Sequence, residues 1–133
     1  MHMGASVLHA GQEAPPAVAT MEATTGPGVV PEVDVAVVIP AYNEAGGVGP
    51  IVTRVRAALA DTPFSYDVVV VDDGSTDETA LEAELHGARV IRQDQNGGYG
   101  AALKKGIHAT RSRFVVITDA DGTYPPEQIS VLL

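Results

Sequence analysis

From residue 33 onward the chain alternates between short apolar runs and stripes of apolar residues at helical spacing. Residues 33–39 form a near-continuous apolar run stopped by Pro40, which reads as a strand. Val48, Ile51, Val52, Val55 and Leu59 then recur at i, i+3, i+4 intervals and predict a helix over about 46–60. Residues 66–71 read as a second strand, running into Asp72-Asp73-Gly74. Ser75 and Glu78 have capping-box spacing, with Ser75 as the expected N-cap of a helix carrying Leu81 and Leu85 to Gly87. Residues 88–92 predict a third, short strand. Tyr99, Leu103 and Ile107 are expected to line the buried face of a third helix, and residues 113–118 form a fourth strand. Pro125-Pro126-Glu127 has the look of a further helix start, with proline in the first turn. Strands that are apolar on both faces and alternate with helices predict an α/β parallel sheet covered by helices.

The first 32 residues behave differently. They are rich in Ala, Pro, Thr and Gly, carry no Lys or Arg and show no sustained period, so the expectation for 1–32 is a disordered tail. All eight basic residues lie from Arg54 onward, which places a composition boundary near residue 32 and one domain over 33–133. The net charge of −9 excludes a general nucleic-acid binder, because no basic stripe is available to neutralise phosphates. No apolar run approaches the roughly 20 residues of a membrane-spanning helix. With no cysteine there is neither a disulfide framework nor a thiolate metal site, which fits a reducing compartment. His2, His9, His86 and His108 have no paired spacing and suggest no histidine metal site.

Candidate chemistry sits where the apolar runs stop. Residues 114–118 end in Asp119-Ala120-Asp121, two carboxylates on either side of one small residue. In extended chain their side chains point the same way, with Cα atoms roughly 6.6 Å apart, so both can approach one cation. A hard divalent ion is commonly held by one or two carboxylates together with waters and phosphate oxygens. Two further polar clusters, Pro40-Ala41-Tyr42-Asn43-Glu44 and Asp72-Asp73-Gly74-Ser75, follow the first and second strands. In a parallel sheet all three clusters share the carboxyl edge, where ligands of such sheets bind. Glu44, Asp72, Asp73, Asp119 and Asp121 would then crowd one crevice and repel without a cation or hydrogen-bond donors.

Residues 37–44 (Val-Val-Ile-Pro-Ala-Tyr-Asn-Glu), 70–77 (Val-Val-Asp-Asp-Gly-Ser-Thr-Asp), Asn96-Gly97-Gly98-Tyr99-Gly100 and Asp119-Ala120-Asp121-Gly122 resemble, in order, the motifs of the family 2 glycosyltransferases. The following Pro-Pro-Glu is similar to the dolichyl- and polyprenyl-phosphate sugar synthase branch. The resemblance spans about residues 33–133. It implies a GT-A fold and metal-dependent (Mg²⁺ or Mn²⁺) inverting transfer from a UDP- or GDP-linked sugar. The acceptor it suggests is polyprenyl phosphate, at a cytoplasmic or membrane-peripheral location.

Carried over by residue, Pro40, Ala41, Tyr42 and Glu44 would line the base and ribose pocket. Val70 and Asp72 would complete it, with Asp72 contacting the base. Asp73 is either part of that pocket or ordinary Asp-Gly turn chemistry. Asp119, Ala120 and Asp121 would form the Asp-x-Asp element, with Asp119 and Asp121 toward the metal. Lys104 would lie near the phosphates. The family's acceptor half and general base fall beyond residue 133, so a donor-binding part is expected, with an open edge at the fourth strand for a partner to cover and no useful transfer by this chain alone.

Two other readings stand beside this one. One is a nucleotide-binding fragment or partner subunit without catalysis. The other follows from Asp119-Ala120-Asp121-Gly122-Thr123, which also looks like the first motif of haloacid-dehalogenase-type phosphatases, where the first Asp is a nucleophile. That reading leaves the clusters at 37–44 and 70–77 unexplained.

Overall fold

A computed structural model describes residues 8–10, 18–22, 31–121 and 125–133. Its centre is a parallel sheet built from β3 (Val33–Ala41), β4 (Tyr66–Asp72), β5 (Arg89–Arg92) and β6 (Ser112–Thr118). Two further strands, β1 (Leu8–Ala10) and β2 (Val18–Glu22), complete a six-stranded sheet of order β1-β2-β6-β3-β4-β5. β3 is central, paired with β4 on one side and β6 on the other. The Val- and Ile-rich strand sequences are what this position demands, since both faces are covered. On one face Val35, Val37, Ile39, Val68 and Val70 pack with Val48, Val52, Val55 and Leu59 of α1 (Val48–Ala60). On the other, Val38, Val69, Val71, Val115 and Ile117 pack with Ala102 of α3 (Tyr99–His108).

The alternation read from the sequence is present, with three differences. The tail expectation for 1–32 falls largely outside the described residues, but the described pieces are strands. β2 pairs antiparallel with β6, from Val18 opposite Thr118 to Glu22 opposite Phe114. The β6 edge expected to be open is therefore covered from within the chain. A lone five-residue strand carries little sequence period, so the pattern could not show it.

The second helix, α2 (Thr79–Leu85), starts four residues after Ser75 and has no side-chain cap of its own. Ser75 Oγ instead accepts the Asn43 N–H. Thr79, Ala80 and Ala83 form the buried face of α2, while Leu81 and Leu85 are exposed.

The third difference concerns α3, which seats on small residues rather than on Tyr99. Ala102 and Gly106 are its buried positions, with Leu103 and Ile107 flanking them. A Cβ on Gly106 would meet Val38 Cγ1 at 2.5 Å and Val71 Cγ2 at 2.8 Å, so this helix lies directly against the sheet. The chain closes with a 3-10 turn, Pro126–Gln128, and α4 (Ile129–Leu132), both packed on α1. Arg54 of α1 forms a two-pronged ion pair with Glu127 there. No helix among the described residues is long and apolar enough to cross a membrane.

Loops at the carboxyl edge are tied to one another rather than left to solvent. Asp73 is 5 % exposed and accepts three hydrogen bonds, from Gln93 Nε2 at 2.6 Å, Gly97 N at 2.8 Å and Gly98 N at 3.0 Å. It thereby holds the loop leading into α3, beside the partial positive charge of that helix's N-terminus. Gly74 follows with φ +78°, and a Cβ there would meet Asn96 N at 2.8 Å, so only glycine lets the two loops touch.

Removal of the Asp73 carboxylate takes the acceptor from three part-buried donors. Asp73→Ala is expected to lower unfolding stability by about 2–4 kcal/mol, from the cost of stranded polar groups. Asp73→Asn should lose less, because one carbonyl oxygen remains. Urea denaturation followed by circular dichroism measures both; a wild-type midpoint for Asp73→Ala would remove the tethering role.

Candidate functional site

Three strand ends and the loops after them enclose a cleft of about 390 Å³ lined by Pro40, Ala41, Tyr42, Glu44, Asp73, Asn96, Gly98, Tyr99, Asp119, Ala120 and Asp121. Strand register explains the convergence. Ala41 lies opposite Asp72, and Val38 opposite Ile117, so the carboxyl ends of β4, β3 and β6 finish side by side.

The loop after β3 owes its shape to α2 and the turn before it. Backbone N–H groups of Asn43, Glu44, Ala45, Gly46 and Gly49 are accepted by Ser75 Oγ, Thr79 Oγ1, Asp77 and, for the last two, both oxygens of Glu82. Thr79 Oγ1 in turn donates to Asp77 Oδ1. Asn43 adopts φ 51°, a left-handed conformation that Asn tolerates, and its side-chain oxygen accepts the Thr76 N–H at 2.9 Å. α1 has no cap from its own sequence, and Glu82 supplies it from the neighbouring helix. The consequence is a fixed loop that presents Tyr42, 46 % exposed, and Glu44 at the cleft.

The carboxylates within the cleft act on each other. Burial raises the Glu44 carboxyl above its ordinary range, and the charges of Asp121, Asp77 and Asp119 add to this. Asp119 is raised likewise, by burial first and by Asp121 second, while a hydrogen bond from the Tyr99 hydroxyl partly opposes the shift. Tyr99 itself is raised by burial and by the Asp119 charge, so its phenol stays protonated and donates. Among the described residues no three His, Cys, Asp or Glu side chains form a ready-made metal cage. The donor set is instead an acidic pair with mutual repulsion, which fits a cation that completes its shell with ligand oxygens.

The expected site residues divide into those at the cleft and those away from it. Pro40, Ala41, Tyr42, Glu44, Asp73, Asp119, Ala120 and Asp121 are together on its lining. Asp72 is not among the lining residues; it is 6 % exposed, and its carboxylate accepts the Ser75 N–H at 3.1 Å. Val70 is fully buried in the α1-side core. Lys104 lines a separate concavity with Gln93, Gly100, Ala101, Lys105 and His108. Tyr99, expected in the core, lines the cleft and is 54 % exposed. Its place as the first residue of α3, just after the glycine pair, was the available signal. Gly122 and Thr123, on which the phosphatase resemblance depended, lie outside the described residues.

The comparisons with known proteins bear on the family and the fold. A dodecaprenyl-phosphate galacturonate synthase from Rhizobium johnstonii is 34 % identical over 106 residues, covering 75 % of this chain and 31 % of the relative. An undecaprenyl-phosphate 4-deoxy-4-formamido-L-arabinose transferase from Pseudomonas aeruginosa is 37 % identical over 105 residues, covering 74 % and 31 %. The chain thus spans about a third of the length of the curated relatives it matches. Among solved structures, glucosyl-3-phosphoglycerate synthase from Mycobacterium tuberculosis in complex with Mn²⁺, UDP and glucosyl-3-phosphoglycerate superposes with a TM-score of 0.58 at 30 % identity, covering 67 % of this chain and 34 % of that one. The same enzyme is also known with Mg²⁺ and UDP. The parallel sheet with its helices is the α/β fold of these GT-A nucleotide-sugar transferases. The model of the family described as glycosyl transferase family 2 matches residues 36–133, and the chain belongs to that family.

Proposed function

We propose that this chain supplies the donor-binding part of a metal-assisted, inverting glycosyltransferase that uses a nucleoside diphosphate sugar. One observation carries the reading: Tyr42 and Glu44 from the end of β3, and Asp119 and Asp121 from the end of β6, meet in one cleft, where burial first and neighbouring carboxylate charge second raise Glu44 and Asp119. A cation with a diphosphate relieves that repulsion. Pro40, Ala41, Tyr42 and Glu44 form the base and ribose side. Asp119 and Ala120 face the ribose and diphosphate, and Asp119 and Asp121 are the metal-side carboxylates. When bound, the metal stabilises negative charge on the departing diphosphate.

Asp72 acts beneath this surface through Ser75, which holds the Asn43 N–H. Val70 contributes packing, and Asp73 fixes the loop into α3. No general base is assigned within residues 33–133.

The polyprenyl-phosphate relatives support a lipid-linked phosphate as the acceptor class. The phosphoglycerate synthase neighbour supports a small acidic acceptor as the other class, and assaying transfer to each distinguishes them.

Calorimetry of UDP and GDP with Mn²⁺ or with EDTA tests donor binding. One nucleotide is expected to bind at least tenfold more tightly with metal, a difference of about 1.4 kcal/mol. Asp121→Ala should erase the metal dependence and spare nucleoside binding, whereas Tyr42→Ala should weaken nucleoside and nucleotide together. Equal affinity with and without metal would remove the metal role.

The sign of the pH dependence follows from the raised carboxyls. Protons and metal compete for Asp119, which keeps its proton to a higher pH than an ordinary carboxyl does, and the Glu44 carboxyl in the same cleft is raised likewise. Metal-dependent affinity should therefore be full near pH 7 and fall as the pH drops through the range just above the ordinary carboxylate values. A titration flat down to pH 4 would contradict this electrostatic account.

A further inference from the structure

We propose that the concavity beside α3 is a second binding site, separate from the acidic cleft, for a small phosphate-bearing anion. Lys104 and Lys105 supply its positive charge, His108 adds a ring nitrogen, and Gln93, Gly100 and Ala101 complete its lining. At about 460 Å³ it is no smaller than the cleft, and it has the size of ordinary small-molecule sites.

The distribution of charge over the chain singles this place out. Acidic residues outnumber basic ones by 17 to 8, and the arginines are engaged by that surplus. Arg54, Arg89, Arg92, Arg111 and Arg113 pair with Glu127, Asp67, Glu84, Glu32 and Asp34, and Arg56 donates to the His86 carbonyl. Lys104 and Lys105 are the chain's two lysines, and among the described residues neither forms an ion pair. No described carboxylate lines their concavity, in a protein of net charge −9.

The helix explains why these groups converge. Ala101, Lys104, Lys105 and His108 recur at helical spacing on one face, turned away from the buried Ala102 and Gly106. Lys105 and His108 also suit the negative end of the helix, but helix polarity does not account for Lys104 or for a hollow kept free of carboxylates. Gly100 has nothing within 4 Å of where a Cβ would stand, so the space stays open. Gln93 is pinned, its backbone N–H donating to Asp72 O at 2.9 Å and its side-chain amide to Asp73 Oδ1 at 2.6 Å. The amide has a second N–H to offer an anion.

The ligand class follows from these donors. Lysine binds phosphate as a compact point charge, and a phosphomonoester carries about −1.5 to −2 near pH 7, which two lysines balance. An anionic membrane surface calls for a cluster of about four to eight basic residues, more than this acidic chain gathers here.

¹H–¹⁵N NMR of the full chain, titrated with inorganic phosphate in EDTA and with sodium chloride at equal ionic strength, tests the site. Phosphate should give saturable shifts in the millimolar range at Gln93 and along residues 100–108, and chloride should not. The double variant Lys104→Gln/Lys105→Gln should bind phosphate about tenfold more weakly, as loss of two charged contacts on an exposed face implies, whereas Lys104→Arg/Lys105→Arg should keep the binding. No saturable shifts, shifts that chloride reproduces, or wild-type phosphate affinity in the glutamine variant would overturn the site. Weaker binding of UDP with Mn²⁺ in the glutamine variant would place these lysines at the donor phosphates and overturn a separate site. Cosedimentation with phosphatidylglycerol vesicles that the glutamine variant loses, without a response to inorganic phosphate, would mark a membrane-facing surface and overturn it too.

Discussion

Five backbone N–H groups between Asn43 and Gly49 find their acceptors in side chains between Ser75 and Glu82, and the cleft depends on that exchange. Backbone donors near a sheet edge must be satisfied by something, and water or a ligand would leave the loop free to change shape. Here two loops from adjacent parallel strands satisfy each other. Glu82 caps α1, Asp77 and Thr79 order the turn before α2, and Asp72 and Ser75 lock the base of the β4 loop. Several acidic residues are spent on this scaffold rather than on ligand, and it is the scaffold that holds Tyr42 and Glu44 at the opening.

A second tether completes the site from the far side. Asp73 binds the Gln93–Gly98 loop, which leads into α3 and brings Tyr99 to the cleft lining that Asp119 shares. Within the cleft, burial first and neighbouring carboxylate charge second raise the Glu44 and Asp119 carboxyls above their ordinary range. The internal hydrogen bonds of the loops fix where Tyr42 and Glu44 stand, and the proposed donor site rests on that placement.

Much of this was legible in the sequence, for identifiable reasons. Short valine-rich runs bounded by Pro40, Gly74 and Asp119 and alternating with helical stripes point to buried parallel strands, whose polar ends then share an edge. Residues whose role depends on a partner far along the chain were not legible. Ser75 has the spacing of an N-cap but serves Asn43, 32 residues earlier. Lys104 faces a different concavity from the acidic cleft, because Ala102 and Gly106, not the larger apolar residues, choose which face of α3 meets the sheet. The same choice frees Tyr99 for the cleft. β2 could not be foreseen from its own residues, since its place is set by the unpaired edge of β6.

Crystals grown or soaked with Mn²⁺ and the nucleoside diphosphate that binds in solution offer the most direct measurement, because manganese can be located by its anomalous scattering. The account predicts one strong anomalous peak at the carboxyl edge, between the diphosphate and the Asp119–Asp121 pair. A nucleotide bound in the cleft with no manganese there, or manganese bound only elsewhere on the molecule, would contradict it.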